Sequence, residues 1–259
     1  MTKTMVTVGG AILIAIAAAM VVKPHYFPAV KEAYFKPDFD NLRQVPAGIV
    51  AVRPTHTAHS IGDPIRNMIE GGSLMRAVGR DMTLRNLIAE AYDCNPGRVA
   101  LPADAPKGGF DFLVTVPTKT REHLQSAIRD KLGYVAHRET RDTDVLKLKV
   151  ENTNLPGLTV SPDGEEESIQ YKNGKLYFKH KTLKLLLEGL ENGLALPVLD
   201  ETGLIGRYNF SIIWSEAAQQ KMQTGAFDLD GVKKVLKELG LELEPDTVSM
   251  DMFVVEKVR

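Results

Sequence analysis

The sequence is poor in the residue types on which several classes of protein depend. Of its 259 residues only one is a cysteine, Cys94, which excludes an intramolecular disulfide framework and any CxxC or cysteine-rich metal cluster. The 32 lysines and arginines balance the 33 aspartates and glutamates, so the basic excess that is usual in nucleic-acid-binding proteins is absent. We therefore expect no nucleic acid among the partners of this protein.

The common catalytic motifs are also missing. The sequence contains no GxxxxGK[ST] phosphate loop, no GxSxG nucleophile elbow and no HExxH zinc helix. His56 and His59 are three residues apart, but Pro54 precedes them and no third histidine is near, which favours a polar loop over a metal site. Cys94 has only Arg98 as a cationic neighbour, so we predict a structural thiol. We accordingly predict no enzymatic activity and no catalytic residue, cofactor-binding residue or metal ligand.

A long apolar run lies near the start of the chain, from Met5 to Val22, and carries no charge. As a helix it would span about 27 Å, close to the hydrocarbon thickness of a bilayer. Two interpretations remain open. Lys3 and the small residues 17–19 suit a secretory signal peptide, whereas the length of the run and the aromatic Tyr26 that follows suit an uncleaved membrane anchor. We predict the anchor.

Composition changes divide the rest of the chain. The prolines and alternating charges after the apolar run are typical of a tether, and a second segment rich in turn residues, with the sequence SPDG, separates two longer parts. The predicted organisation is an anchor over 1–24, a tether over 25–46, a first α+β repeat over 47–155, a linker over 156–172 and a second α+β repeat over 173–259.

The two longer parts contain the same elements in the same order. Apolar residues at i, i+3, i+4 and i+7 begin at Leu84 and again at Leu183, 99 positions later, and each set predicts an amphipathic helix. Alternating apolar residues from Phe110 to Val116 recur from Tyr208 to Trp214 at an offset of 98, which predicts a half-buried strand in each part.

A second amphipathic helix in each part runs into a Leu-Gly pair, Leu132-Gly133 and Leu239-Gly240, where glycine suits a left-handed helix end. These matches indicate an internal duplication of a strand–helix–strand–strand–helix–strand–strand unit. Helices with one apolar stripe pack on one face of a sheet. The predicted fold class is therefore α+β, with an N-terminal transmembrane helix followed by two tandem, duplicated units with mainly antiparallel sheets.

A basic strip with interleaved aromatic residues lies at the start of the second repeat. It could dock on lipid headgroups or an acidic partner, or be the solvated face of a strand and a helix, and both interpretations remain open. Its members are Lys172, Lys175, Lys179, Lys181 and Lys184, with Tyr171, Tyr177 and Phe178 between them.

Several segments together resemble a known family, among them GIVAVRP (48–54), TLRNLIAEAY (83–92) and LPVLDETGLIGRYNFSIIW (196–214). The chain resembles, over 48–258, the uncharacterised "soil-associated" family, whose domain of unknown function occurs in many paralogues of soil bacteria. That family has no established activity, so the resemblance implies no catalytic residues. Its members typically carry export signals, which implies an extracytoplasmic domain.

We predict from these observations a membrane-anchored, non-enzymatic accessory subunit, whose α+β domain docks onto a larger membrane protein complex. Its partners would be that complex and the lipid bilayer. Its localisation would be single-pass in the membrane, with the soluble domain in the periplasm. The alternative is an envelope sensor or binding module that takes a small ligand or a cell-envelope polymer in a groove between the two halves.

Overall fold

The computed structural model describes residues 30–56, 65–70, 73–213 and 228–258. Over these residues the helical elements are a 3-10 turn at Glu32–Phe35, α1 at Phe39–Gln44, α2 at Leu84–Tyr92, a 3-10 turn at Pro96–Arg98, α3 at Thr120–Leu132, α4 at Leu183–Leu194 and α5 at Leu229–Leu239. The strands are β1 (Val50–Pro54), β2 (Ile65–Glu70), β3 (Ser73–Met82), β4 (Val99–Ala100), β5 (Phe110–Val114), β6 (Tyr134–Val150), β7 (Leu158–Val160), β8 (Ser168–Lys172), β9 (Lys175–Lys181), β10 (Val198–Asp200), β11 (Tyr208–Ile213) and β12 (Leu241–Lys257).

Local sequence sets the ends of the long helices. The Thr83 hydroxyl accepts a hydrogen bond from the Asn86 amide at 3.2 Å and caps the first turn of α2. Gly133 and Gly240 end α3 and α5 with φ angles of +73° and +82°, a conformation that costs glycine little. These left-handed ends turn the chain directly into β6 and β12.

Three four-stranded sheets organise the molecule. The first sheet has the order β1-β5-β3-β2, and the second sheet repeats it as β7-β11-β9-β8. Every pairing within these two sheets is antiparallel. The α+β class and the mainly antiparallel sheets predicted from the sequence are confirmed.

The central sheet joins the two halves of the chain, in the order β10-β6-β12-β4. The strands β6 and β12 are antiparallel along 17 residue pairs, from Tyr134↔Lys257 to Val150↔Leu241. Each outer strand pairs in parallel with the long strand of the other half: β10 with β6, and β4 with β12. The central sheet is therefore symmetric about the pair Asp142↔Ser249, and each half of the chain supplies strands that pair with strands of the other half.

Each long strand contributes side chains to two hydrophobic cores. Near its start, β6 places Tyr134 in the first core, with helices α2 and α3 and the first sheet, and near its end it places Leu148 in the second core, with α4 and α5. In β12 the order is reversed, since Leu241 lies in the second core and Val255 in the first. Each core is therefore complete only when both halves are present.

The structure differs from several predicted boundaries. The two strands that close the predicted unit correspond in the first half to the apolar runs at 134–137 and 145–150, but β6 is continuous across both, because β12 supplies backbone partners to the polar residues between them. Residues 30–46 of the expected tether form the first 3-10 turn and α1, and residues 25–29 lie outside the described ranges. Within the expected linker over 156–172 the structure contains β7 and β8.

The prediction of a transmembrane helix, and with it a single-pass membrane localisation with a periplasmic domain, is corrected. Over the described residues no helix is both long and apolar enough to cross a bilayer. The longest of these helices, α3, has 13 residues, which gives a rise of about 20 Å against roughly 30 Å of hydrocarbon. The run Met5–Val22 on which the prediction depended lies outside the described residues.

Candidate functional site

The candidate site is a cleft on the outer face of the second sheet, which is also lined by Pro156 and Gly157 and by the last residues of α5, Glu238 and Leu239. Its volume is about 630 Å³. The register of β11, β9 and β8 aligns their outward side chains in rows across the sheet. Two rows contain one residue from each of the three strands, and the third contains one residue each from β9 and β8, beside Asn209 of β11. The rows are Ile213, Lys175 and Lys172; Ser211, Tyr177 and Gln170; and Lys179 with Ser168.

Apolar groups are exposed in this cleft. Tyr177 is 43% exposed and Ile213 is 51% exposed. The Lys175 ammonium lies 5.4 Å from the centre of the Tyr177 ring, within the range of a cation–π contact. The cleft thus combines an aromatic surface, an aliphatic side chain and a cation, surrounded by hydroxyl and amide groups.

The corresponding face of the first sheet is covered by the chain itself. Val78 and Leu113 occupy the places that Tyr177 and Ser211 occupy in the second sheet, at offsets of 99 and 98, and both are completely buried. Residues 30–46 lie over them and bury three of their own apolar side chains in the contact: Phe35, Leu42 and Val45. Among the described residues, no such segment lies over the second sheet.

Three arginines hold the covering segment on the first sheet, among them Arg53, whose Nη2 donates to Glu32 Oε2 at 2.5 Å. Arg76 donates from Nη1 to the carbonyl oxygens of Leu42, at 2.9 Å, and Val45, at 2.6 Å, at the C-terminal end of α1. Arg80 Nη2 donates to Glu32 Oε1 at 2.9 Å. At the equivalent positions of the second sheet, 99 residues later, the chain has Lys175 and Lys179.

A cluster of polar side chains lies at one end of the cleft. Ser161 donates its hydroxyl proton to Glu165 Oε2 at 2.5 Å, and its Oγ lies 2.8 Å from His180 Nδ1. Asn209 Nδ2 donates to the same Glu165 oxygen at 2.8 Å, and Lys179 lies 3.0 Å from Glu165 Oε1. The backbone amide of His180 donates to Asn209 Oδ1 at 2.8 Å.

The serine, histidine and glutamate of this cluster are the residue types of a hydrolase catalytic triad, but hydrogen bonds connect them in a different sequence. The carboxylate accepts from the serine here, whereas in a triad it orients the histidine. Ser161 donates its single hydroxyl proton to Glu165, so the contact between His180 Nδ1 and the Ser161 oxygen requires a proton on Nδ1. A protonated Nδ1 cannot accept a proton from the serine. Ser161 is also buried. The geometry provides no activated nucleophile.

The first half shows what the cluster does for the fold. Asp81, the counterpart of His180, has the same left-handed backbone, with φ of +53° against +54°, at a bulge of the same strand edge. Its amide donates to Asp111 Oδ1 at 3.1 Å, and the Thr55 hydroxyl donates to that oxygen at 2.7 Å. A side-chain oxygen at this place therefore holds a β-bulge in both halves.

Substitution of Glu165 should change the acid stability of the protein. Hydrogen bonds from Ser161, Asn209 and Lys179 lower the pKa of the Glu165 carboxyl from 4.5 to about 2. Because the folded-state pKa lies below the unfolded one, its stabilisation is complete above about pH 4.5 and is lost as the pH falls towards 2. We expect Glu165→Gln to reduce proton uptake on unfolding near pH 3 by up to about one proton.

Urea unfolding of both proteins between pH 2.5 and 7 measures this difference. Glu166→Gln is the matched control, because Glu166 is the adjacent residue and is exposed. Equal pH slopes for the wild type and Glu165→Gln would contradict the prediction.

The candidate residues named from the sequence, Cys94, His56, His59 and Trp214, do not form a common site over the described residues. Cys94 is half-buried beside the first core, and burial raises the pKa of its thiol to about 11, so it is protonated at neutral pH. His56 follows β1, while His59 and Trp214 lie outside the described residues. In the part of the chain that the structure describes, no three histidine, cysteine or acidic side chains are grouped as metal ligands.

The basic strip does not form one surface. Lys175 and Lys179 face the cleft, but Tyr171 is paired with Leu176 and lies on the opposite face of the sheet. Lys181 pairs with Glu167 at 2.6 Å, and Lys184 pairs with Glu188 on α4. Of the five lysines, Lys175 is therefore the one that combines a place in the cleft with an exposed aromatic neighbour.

Sequence reasoning missed the polar cluster at the bulge. An aligned comparison of the halves would have shown it, because the offset of 99 places Asp81 over His180 and the offset of 98 places Asp111 over Asn209. Polar residues that recur within otherwise alternating strands are the signal.

Comparison with known proteins gives a family and no function. Residues 85–258 match the model of a family described as a protein of unknown function, DUF3738. No curated protein and no solved structure matches the chain. The matched range covers the second and the central sheet entirely, only β5 of the first sheet, and the whole cleft. An uncharacterised family was expected from the sequence, and the chain belongs to the DUF3738 family of proteins of unknown function.

Proposed function

We propose that this protein is a non-enzymatic interaction module, and that the outer face of its second sheet docks a segment of another polypeptide. One observation carries the proposal: the equivalent face of the first sheet is covered by residues 30–46 of the chain itself. The sheet is present twice, one copy is covered by the chain, and over the described residues the corresponding face of the other copy is open. The cleft of about 630 Å³ is within the range of specific binding pockets.

The absence of catalysis is part of the proposal. Ser161, His180 and Glu165 hold a bulge that also exists in the first half with other side chains. The Cys94 thiol is protonated at neutral pH and lies away from the cleft. These observations favour binding without chemistry over a hydrolase.

Photo-crosslinking in living cells tests the docking face. A photoreactive phenylalanine analogue replaces Ser211 or Ile213 in the cleft, and Lys233, exposed on α5, in the control. We expect the two cleft positions to give one adduct with the same second protein and the control position to give none. A lack of adducts at the cleft, or an adduct of the chain with itself, would overturn the proposal.

A second candidate function is the binding of a small polar ligand, such as a sugar. The exposed Tyr177 ring lies between Ser211 and Gln170 in the register of the sheet, and an aromatic face with flanking hydrogen-bonding groups suits such a ligand. Thermal shift measurements with a panel of oligosaccharides test this candidate. A rise in Tm that is abolished by Tyr177→Ala would favour it, and no rise would exclude that panel.

The resemblance to the "soil-associated" family is likewise a proposal. It is supported by the segment 196–214, which includes β10 and β11. The matched family model is consistent with it, since that family is also uncharacterised.

A further inference from the structure

The cations of the two outer faces occupy equivalent places but have different partners. On the first sheet, Arg76 donates to two backbone carbonyl groups at the end of α1. A planar guanidinium presents its donors in a rigid fork that fits two neighbouring carbonyl groups, whereas an ammonium group is a compact charge with three rotatable donors and no fixed fork. Lys175, at the position of Arg76, therefore favours a different acceptor.

The two other lysines that follow Lys175 on β9 already have acidic partners. Lys179 pairs with Glu165, and Lys181 pairs with Glu167. Over the described residues no carboxylate forms an ion pair with Lys175, whose ammonium lies near the Tyr177 ring. An acidic group that entered the cleft would meet this ammonium without displacing an existing pair.

The replacement of Leu113 by Ser211 creates the room that such a ligand needs. On the first sheet, the Leu113 side chain fills the space beneath Phe35 and Leu42. On the second sheet, a small hydroxyl residue lies between Tyr177 and Asn209, and the space above it is the cleft. An apolar side chain of a ligand can enter here against Tyr177 and Ile213, as Phe35 does against the first sheet.

We infer that the cleft binds a partner segment in which an acidic residue lies next to an aromatic or aliphatic anchor, with Lys175 receiving the carboxylate and Tyr177 the anchor. This inference rests on the function proposed above and adds to it the chemistry of the partner. The covering segment of the first sheet also combines an acidic residue with an apolar anchor, although Glu32 contacts Arg80, the counterpart of Lys179, and not Arg76, the counterpart of Lys175.

Selection from a phage-displayed library of random twelve-residue peptides on the full chain tests the inference. We expect the selected sequences to combine Asp or Glu with Phe, Tyr, Trp or Leu. For a synthetic peptide of the selected sequence, we expect Lys175→Gln to raise the Kd about 10-fold, since loss of one charged contact weakens binding on this scale. Lys175→Arg should retain most of the affinity.

Two further variants separate the possible outcomes. Lys184→Gln removes an exposed lysine of the same basic strip outside the cleft and should leave the Kd unchanged. Ser211→Trp fills the cleft and should abolish binding. If selected peptides need an open cleft but carry no acid and tolerate Lys175→Gln, the inference is wrong and the docking face stands. If no peptide is sensitive to Ser211→Trp, the docking face itself is wrong.

Discussion

Expressed separately, residues 30–155 and residues 156–258 are expected not to fold. The first part would lack Phe253 and Val255, which β12 adds to the first core, and the second would lack Leu146 and Leu148 of β6. Val255, Leu146 and Leu148 are buried, and burial of a side chain of this size contributes about 2 kcal/mol. The 17 backbone pairs of β6 with β12 would also be lost, which leaves a long strand with unpaired edges.

Circular dichroism and urea unfolding of the two fragments measure this effect. We expect no cooperative transition in either fragment alone and a single transition in the intact chain. The matched control is the intact chain with a protease site inserted at Asp163-Gly164, an exposed turn, and cut after folding. The nicked protein contains nearly the same two polypeptides and should remain folded. A cooperative transition in one isolated fragment would show that the halves are independent domains.

Replacement of Arg98 by alanine should destabilise the protein by about 3–5 kcal/mol, because it leaves a buried carboxylate without its cation. The carboxylate is that of Glu191 on α4, whose side chain is 8% exposed. Its Oε1 accepts hydrogen bonds from Arg98 Nη2 at 2.6 Å, from Arg98 Nε at 3.0 Å and from the Val198 amide at 2.9 Å. This ion pair connects the first half of the chain to the second.

Urea unfolding at pH 7 measures the loss. Lys184→Ala is the control, since it removes an ion pair with Glu188 whose two side chains are 80% and 50% exposed, and it should cost less than about 1 kcal/mol. The double replacement Arg98→Met with Glu191→Leu removes both charges and should recover a large part of the loss. A cost below 1 kcal/mol for Arg98→Ala would mean that water replaces the arginine and that the pair does not join the halves.

Much of the local structure could be predicted because it depends on neighbouring residues. The stripes that begin at Leu84 and Leu183 form the buried faces of α2 and α4, and the glycines 133 and 240 end their helices as expected. The alternation from Phe110 and from Tyr208 corresponds to β5 and β11, the second of which is described to Ile213. Spacing along the chain is sufficient for such elements, because an apolar stripe or alternation marks the face that packs on the core, although in β5 the covering segment buries the other face as well.

The central sheet could not be predicted in the same way. Residues 138–144 are mostly charged or hydroxylic and show no apolar alternation, so nothing in their own pattern indicates a strand. They are extended because β12 pairs with them, and the partner residues lie more than 100 positions away.

The segment that covers the first sheet could not be predicted for a related reason. Phe35, Leu42 and Val45 are too widely spaced among prolines and charges to read as a packed segment.

The sequence by itself determined that the chain carries one α+β unit twice, since helix stripes, strand alternation and terminal glycines are local signals and recur at offsets of 98 to 107. Only the tertiary structure decided how the two copies are joined and which of their faces is covered. The pairing of β4 with β12 and of β10 with β6, the Arg98–Glu191 pair and the burial of Phe35 all depend on contacts between distant residues. Such contacts follow from the packing of whole elements. The cleft at Tyr177 is therefore recognised only when the covered face of the first sheet is compared with the open face of the second.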